Sequence, residues 1–410
     1  MSQHRRSAFL LRAGAGALAL ALTACGGSAA GPADDSSADG AADSMKVGLL
    51  IPQTGVYSPI GGEMQKAVDL YMAQHGDELG GRPAEIVTAD SAGNPETAKQ
   101  RAKELIGRED VDVITGIVSS PEGVTLAEEA ATSQVPIVIA NAGANAITAG
   151  EVSPYVWRTA FSTNQLGYSA GVYAAEHLGK TGAVLMGADY SGGTEVLAGF
   201  LAGYKAAGGS DPLAQIMTPF GKTQNFQPYL AEIPAEASFV YAFYAGGEAI
   251  TFVKNWDEFG YKDKFPLLGA QNLTDEDVLP AIGDAAVGVM TVGLYSPALD
   301  NDANAEFVDL WKKKYDLLPS IIAVQTWDAM QLIDQAAATV DGTITAETLA
   351  AAFPNAGTIA SPRGDFVVDP DSHNPTQSWY VRELQKDGDS YVNTVIATVP
   401  ADEVVDQPSA

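Results

Sequence analysis

Two adjacent serines, Ser119 and Ser120, stand where binding of an anion is possible. They follow a short apolar run, and Pro121 and Glu122 come directly after them. Proline is favoured at the first position of a helix, so a helix is predicted to begin here. The unpaired N–H groups of a helix N-terminus, with two hydroxyls beside them, suit a carboxylate. The alternative is a purely structural role, and Ser120 is expected to cap the helix in either case.

A second candidate segment, Asn141-Ala142-Gly143-Ala144-Asn145, follows the next apolar run. Its small side chains let the backbone approach a bound molecule closely. An ordinary loop is the alternative. The candidate ligand-binding residues from these two segments are Ser119, Ser120, Asn141, Ala142, Gly143 and Asn145.

Tyr190 and Glu248 are candidates from the second half of the chain. Tyr190 follows an apolar run and offers both an aromatic face and a hydroxyl, which suits a small amphiphilic ligand. Glu248 lies in the first turn of a predicted helix, where an acid could pair with a ligand ammonium or only favour the helix dipole. Further lining residues, for which a core or surface role is an equal alternative, are Tyr57, Phe161, Gln271 and Asn272.

The sequence gives little support for a catalytic function. The segment Asp189-Tyr190-Ser191-Gly192-Gly193 is similar to a nucleophile elbow, but its first glycine is missing. The four histidines suggest no Ser/His/Asp arrangement, and there is no metal-binding His or Cys spacing. We therefore expect a binding protein without catalytic residues, cofactor or metal.

The first 25 residues have the pattern of an export signal. Three arginines precede an apolar stretch over residues 13–24, which ends in Leu22-Thr23-Ala24-Cys25. This ending is similar to the lipobox of bacterial lipoproteins and predicts a signal peptide over 1–24 with lipid attached to Cys25. An ordinary cleaved signal is the alternative, and the export route, Sec or twin-arginine, is left open. Residues 25–44 are small and polar and predict a flexible linker.

The composition of the chain narrows the possible partners. The formal net charge is −28, which disfavours binding to nucleic acid or to an anionic lipid surface. Cys25 is the only cysteine, so no internal disulfide can form. The roughly 365 residues after the linker exceed one ordinary core, and two lobes are expected.

Apolar runs alternate with helical patterns along the chain, which predicts an α/β protein with doubly wound parallel sheets. The alternation restarts near residue 155, so the same plan occurs twice. The last two strand patterns predict an antiparallel hairpin turned at Asp387-Gly388. Predicted strands cover residues 45–52, 84–90, 111–117, 136–141, 183–189, 214–220, 239–244, 266–271 and 287–295.

The chain resembles the type I solute-binding proteins of ABC transporters, in the group of leucine/isoleucine/valine receptors. The resemblance covers residues 45–399 and rests on the order and spacing of several short segments. These are Gly48-Leu49-Leu50-Ile51-Pro52-Gln53-Thr54-Gly55, Gly116-Ile117-Val118-Ser119-Ser120, Asn141-Ala142-Gly143-Ala144, Asp189-Tyr190-Ser191-Gly192-Gly193, Phe243-Tyr244-Ala245-Gly246-Gly247-Glu248 and Pro362-Arg363-Gly364.

This resemblance implies two Rossmann-like lobes joined by a three-stranded hinge. The N-terminal lobe would comprise residues 45–160 and 298–357, and the C-terminal lobe residues 161–292 and 359–410. The crossovers would lie near 159–164, 293–297 and 358–364. The ligand would lie in the cleft between the lobes, and its binding would close the hinge.

The resemblance also implies a function. The protein would be the substrate-binding component of an ABC uptake transporter, capturing a branched-chain or related amino acid and delivering it to a permease. Ser120 would bind the ligand carboxylate and Glu248 its ammonium, although the loop before Glu248 is shorter than in those receptors. Asn145 stands near a family threonine, which changes that polar contact.

Two alternatives remain open: an aromatic carboxylate or other non-amino-acid ligand, and a role as a ligand sensor. The expected partners are the permease and ATPase subunits. The protein is expected to be an extracytoplasmic monomer held at the membrane through Cys25.

Overall fold

The computed structural model describes residues 44–149, 152–388 and 390–404. The predicted signal peptide, the lipidation site Cys25 and the linker up to residue 43 lie outside the described residues. Within the described part of the chain, no helix is both long and apolar enough to cross a membrane.

The first sheet has six strands in the described residues, in the order β2-β3-β1-β4-β5-β6. All neighbours pair in parallel except the short β2, which forms an antiparallel hairpin with β3. The central strands β4 and β5 are buried on both faces, as expected for a parallel sheet covered by helices. The strands are β1 (Met45–Ile51), β2 (Glu78–Leu79), β3 (Arg82–Asp90), β4 (Val113–Gly116), β5 (Ile137–Ile139) and β6 (Val156–Arg158).

The second sheet has seven described strands, in the order β15-β14-β11-β10-β9-β7-β8. Its centre is parallel, and β14 and β15 form the predicted antiparallel hairpin at one edge. A separate two-stranded ribbon pairs β12 with β13. The strands are β7 (Ala183–Asp189), β8 (Ala214–Pro219), β9 (Phe239–Phe243), β10 (Leu267–Ala270), β11 (Met290–Gly293), β12 (Thr358–Ile359), β13 (Phe366–Val367), β14 (Trp379–Asp387) and β15 (Ser390–Val399).

Helices connect most of the parallel strands. Asn94 caps α2 as its position before Pro95 predicted, accepting hydrogen bonds from two backbone N–H groups. The late helix α10 packs against α1 and β2 of the first sheet. The helices are α1 (Ser58–Gln74), α2 (Pro95–Gly107), α3 (Ser120–Ser133), α4 (Thr163–His177), α5 (Ser191–Ala206), α6 (Gln227–Leu230), α7 (Gly246–Glu258), α8 (Leu279–Ile282), α9 (Asp302–Tyr315), α10 (Ile321–Ala338) and α11 (Ala346–Ala352).

Helices α4 and α5 touch backbone to backbone. A Cβ atom on Gly171 of α4 would lie 2.1 Å from the carbonyl oxygen of Phe200, and one on Gly203 of α5 would lie 2.1 Å from the carbonyl oxygen of Tyr168. Real Cβ atoms do not approach that closely, so both positions require glycine. The starts of the two helices, which reach the site described below, are therefore fixed relative to each other.

The predicted strand over 287–295 is wrong in length, because β11 covers only Met290–Gly293. Before it, a 3-10 turn ends at Ala286 and Gly288 has a left-handed φ of 84°, which breaks the extended conformation. After it, the Leu294 N–H donates to the side chain of Gln271 and not to a neighbouring strand. The apolar run over 287–295 therefore includes residues that are buried in the flanking segments and do not belong to the strand.

Candidate functional site

A narrow cavity lies where the carboxyl ends of strands from both sheets face each other. The cavity is small, with a volume of only about 20 Å³. Strand ends of this kind are the usual ligand site in open α/β sheets. The lining residues are Tyr57, Ile60, Val118, Ser120, Asn141, Gly143, Phe161, Thr163, Tyr190, Phe243, Ala245 and Asn272.

The N-terminus of α3 presents Ser120 to this cavity, but the helix is capped by the other serine. Ser119 accepts from the backbone N–H of Glu122, and the Glu122 carboxylate accepts from the Ser119 N–H. The expected capping by Ser120 is therefore wrong: Ser120 is the first helical residue. Its hydroxyl oxygen points across the cleft, 2.8 Å from where a Cβ on Gly192 of α5 would lie.

Burial raises the pKa of the Glu122 carboxyl. Hydrogen bonds from Ser91 and Ser119 lower this pKa, but their effect is smaller than that of burial. This acid is fully buried and engaged in the capping box. It does not line the cavity.

The segment after β5 divides between the cavity and the protein interior. Asn141 lines the cavity and donates through Nδ2 to Gln325, at 3.2 Å. Ala142 is buried and packs near Gly123 of α3 instead. Gly143 lines the cavity, where a Cβ would lie 2.8 Å from the ring of Phe161. The absence of a side chain on Gly143 therefore admits a neighbouring aromatic ring.

Asn145 lies beside the cavity and does not line it. Its backbone N–H donates to Glu195 of α5 at 2.8 Å, and its side-chain oxygen accepts from the Asn164 N–H at 3.1 Å. The Thr163 hydroxyl bonds to the same glutamate and lines the cavity. A threonine hydroxyl thus reaches the cavity from Thr163 at the start of α4, whereas Asn145 does not line it.

One wall of the cavity is aromatic. Tyr57 and Tyr190, which follow strands of different sheets, both lie near the ring of Phe220, and the Tyr57 centroid is 5.8 Å from it. The Tyr190 ring stacks on Phe220 with centroids 4.4 Å apart, and Phe243 lies 6.4 Å from Tyr190. Burial raises the pKa of both tyrosines, so their hydroxyls stay protonated as hydrogen-bond donors at neutral pH.

Glu248 lies in the first turn of α7, where it was expected, but it does not line the cavity. One carboxylate oxygen accepts from the Gly221 N–H at 2.8 Å. Burial raises the pKa of Glu248 to about 7, and the Gly221 hydrogen bond only partly opposes this. At neutral pH the Glu248 carboxyl is therefore partly protonated, and it is hydrogen-bonded to the backbone of the loop that contains Gly221.

We expect Glu248→Gln to change the pH dependence of stability. The native carboxyl has a folded pKa of about 7 against an ordinary 4.5, so folding takes up a proton between these values. The native free energy of unfolding must then fall as pH rises through this window. Glutamine cannot titrate, yet its oxygen can still accept from Gly221.

Relative to the native protein, the Glu248→Gln variant should therefore gain on the order of 1–3 kcal/mol between about pH 5 and about pH 8. Urea unfolding of both proteins at each pH measures the difference. An equal difference at both pH values would contradict the raised pKa.

Gln271 and Asn272 form a 3-10 turn directly after β10. Gln271 is fully buried and accepts from the Leu294 N–H at 2.7 Å, so it joins β10 to β11 away from the cavity lining. Asn272 lines the cavity and is 6% exposed, and its side-chain oxygen has no hydrogen-bond partner.

Several lining residues were missed by sequence reasoning: Ile60, Val118, Thr163, Phe243 and Ala245. Most are apolar and read as core residues of their elements. Phe243 and Ala245 lie in the segment from Phe243 to Glu248, in which only the charged residue Glu248 was predicted to contact the ligand. Thr163 could have been found, since it lies within the predicted crossover near 159–164, where α4 begins.

Metal and nucleophile chemistry find no further support at this site. Within the described residues, no group of three or more His, Cys, Asp or Glu side chains could hold a metal ion. Ser191 is an exposed first residue of α5, and it does not line the cavity.

The family model described as periplasmic binding protein matches residues 44–389. A Leu/Ile/Val-binding protein homolog from Brucella melitensis is 30% identical, with 87% of this chain and 92% of that protein covered.

Two solved structures are ABC transporter solute-binding proteins from Rhodopseudomonas palustris. One, in complex with benzoate, is 36% identical with a TM-score of 0.79, covering 87% of this chain and 98% of its own. The other, in complex with 3,4-dihydroxybenzoic acid, is 31% identical with a TM-score of 0.81, covering 88% and 98%. These two ligands are bound by those two proteins. The chain itself belongs to the periplasmic binding protein family, with the type I fold, and is an extracytoplasmic solute-binding component of an ABC transporter.

Proposed function

We propose that this receptor captures a small aromatic carboxylate in the cavity between its sheets. The proposal rests on the chemical character of the residues that line the cavity. The lining residues combine aromatic rings with neutral hydroxyl and amide groups, and none of those described carries a charge. Aromatic faces suit a ring, and the Ser120 hydroxyl at the start of α3 can donate to a carboxylate. The benzoate-bound and dihydroxybenzoate-bound relatives support the same ligand class.

A branched-chain amino acid is the second candidate, as the name of the Brucella relative suggests. An ammonium brought into a closed cavity needs a carboxylate or several acceptors around it. Glu248 would have to leave the Gly221 N–H and enter the cavity to serve. That rearrangement makes the amino acid the less favoured ligand.

Capture is proposed to proceed by hinge closure between the two lobes expected from the sequence, 45–160 with 298–357 and 161–292 with 359–410. Contacts across the cleft support closure: the Gly247 N–H at the start of α7 donates to the Val56 carbonyl at 3.1 Å. Delivery to a permease with its ATPase, a monomeric state and anchoring through lipid on Cys25 complete the proposal.

A ligand panel tests the proposed function. Benzoate, hydroxybenzoates, leucine, isoleucine and valine would be added to the purified protein, and its thermal unfolding followed. A ligand at 100 times its Kd stabilises the folded state by about 2.7 kcal/mol, so aromatic acids should raise the unfolding temperature and amino acids should not. The reverse pattern would establish the second candidate. Ser120→Ala should weaken the aromatic response, whereas Ser191→Ala, outside the cavity, should leave it unchanged.

A further inference from the structure

We propose that the ligand is a hydroxylated aromatic carboxylate, and that Asn272 selects it by accepting a hydrogen bond from the ring hydroxyl. This inference rests on the proposed function and deepens it, because it names a substituent and the residue that recognises it. It separates 4-hydroxybenzoate from benzoate, two acids that differ only in one polar group.

The first step is the state of Asn272. The side chain lines the cavity, is 6% exposed, and its oxygen Oδ1 has no hydrogen-bond partner. Buried polar side-chain atoms are normally paired, so an unpaired acceptor beside a cavity indicates a partner that arrives from the cavity. An acceptor of this kind calls for a donor on the ligand.

The second step concerns which donor fits. An ammonium would need charge compensation, yet no described lining residue carries a carboxylate. A phenolic hydroxyl is neutral, donates one hydrogen bond and extends an aromatic ring without adding charge. The aromatic wall formed by Tyr57, Tyr190 and Phe243 is suited to carry that ring.

The third step is the placement of the two polar ends of the ligand. Ser120 stands at the carboxyl end of β4 in the first sheet, and Asn272 follows β10 in the second. A ligand whose carboxylate meets the α3 N-terminus can therefore present a distal hydroxyl to the opposite sheet. This arrangement favours a hydroxyl at ring position 4.

A site that pairs a ligand hydroxyl rejects the analogue that lacks it, because its own polar group is then left buried and unpaired. We expect native protein to bind 4-hydroxybenzoate roughly 10- to 100-fold more tightly than benzoate. Isothermal titration calorimetry measures both values. 4-Fluorobenzoate, which has a substituent of similar size that cannot donate, should bind no better than benzoate.

The Asn272→Leu variant provides the second arm. It should remove the preference for 4-hydroxybenzoate, and benzoate should bind at least as tightly as it does to the native protein, because no buried amide oxygen is then left unpaired. Asn141→Leu is the matched control: Asn141 also lines the cavity but bonds to Gln325, so this change should alter both affinities by a similar factor. The native comparison with 4-fluorobenzoate needs no variant and stands even if Asn272→Leu fails to fold.

The outcomes separate the two levels of proposal. Equal binding of benzoate and 4-hydroxybenzoate by native protein would overturn the role of Asn272 while leaving aromatic capture intact, as would a preference that persists in a folded Asn272→Leu variant. Failure of every aromatic acid to bind, with binding of an amino acid, would overturn the proposed function itself.

Discussion

Replacing Gly192 with valine should weaken binding of the best ligand on the order of 100-fold. Gly192 lies in the first turn of α5, and a Cβ there would be 2.8 Å from the Ser120 hydroxyl oxygen and 2.8 Å from the Tyr190 ring. Ser120 belongs to α3, which packs with the first sheet, so the added methyl groups oppose the approach of the two sheets. Calorimetric titration with the tightest acid from the panel measures the loss.

The control for Gly192→Val is the same change at Gly62, an exposed glycine in α1 with no atom within 4 Å of its added Cβ. Gly62→Val should leave ligand affinity unchanged. Gly192 does not occupy a left-handed conformation, so backbone strain does not confound the comparison. Unaltered affinity in Gly192→Val would mean that α3 and α5 do not approach this closely around the ligand.

Arg382→Met should lower the free energy of unfolding by about 3–5 kcal/mol at neutral pH. Arg382 on β14 is fully buried, and its guanidinium lies 3.2 Å from Asp275. It also donates to the backbone carbonyls of Gln271 and Tyr295. Without it, Asp275 remains buried beside Glu276, whose pKa burial already raises.

The loss in Arg382→Met should be smaller at about pH 5, where Glu276, whose pKa burial raises, takes up a proton more readily. Denaturant unfolding at two pH values measures both effects. Lys386→Met is the control on the same strand: its pair with Asp284 is exposed to solvent, so its loss should change the free energy of unfolding far less. Similar losses in both variants would contradict the importance of the buried charge.

Much of the fold followed from local patterns. Asn94 before Pro95 predicted the start of α2, and Asp387-Gly388 predicted the turn of the terminal hairpin, because both depend on neighbouring residues alone. The end of β11 did not follow, since the Leu294 N–H finds its partner in Gln271, more than twenty residues earlier. Short elements such as β2 and β12 carry too few residues for a pattern.

The site was predictable where chemistry coincides with a strand end. Tyr190 and Asn272 stand directly after predicted strands and Ser120 shortly after another, and the cavity includes all three. Glu248 also follows a strand, but Gly221 of a distant loop engages its carboxylate. No local pattern reports such a partner. The cap of α3 was readable, because Ser119 and Glu122 have the spacing of a capping box, with the acid three residues after the serine.

The glycine contacts between α4 and α5 have a mechanical consequence. Helix α4 begins at Thr163, within the crossover expected near 159–164, and α5 begins directly after Tyr190. With their backbones interlocked, the two helices have no compliant side-chain layer between them to absorb a displacement. In the proposed hinge closure, a rotation near Thr163 would therefore carry Tyr190 with it, because α4 and α5 would move as one rigid unit.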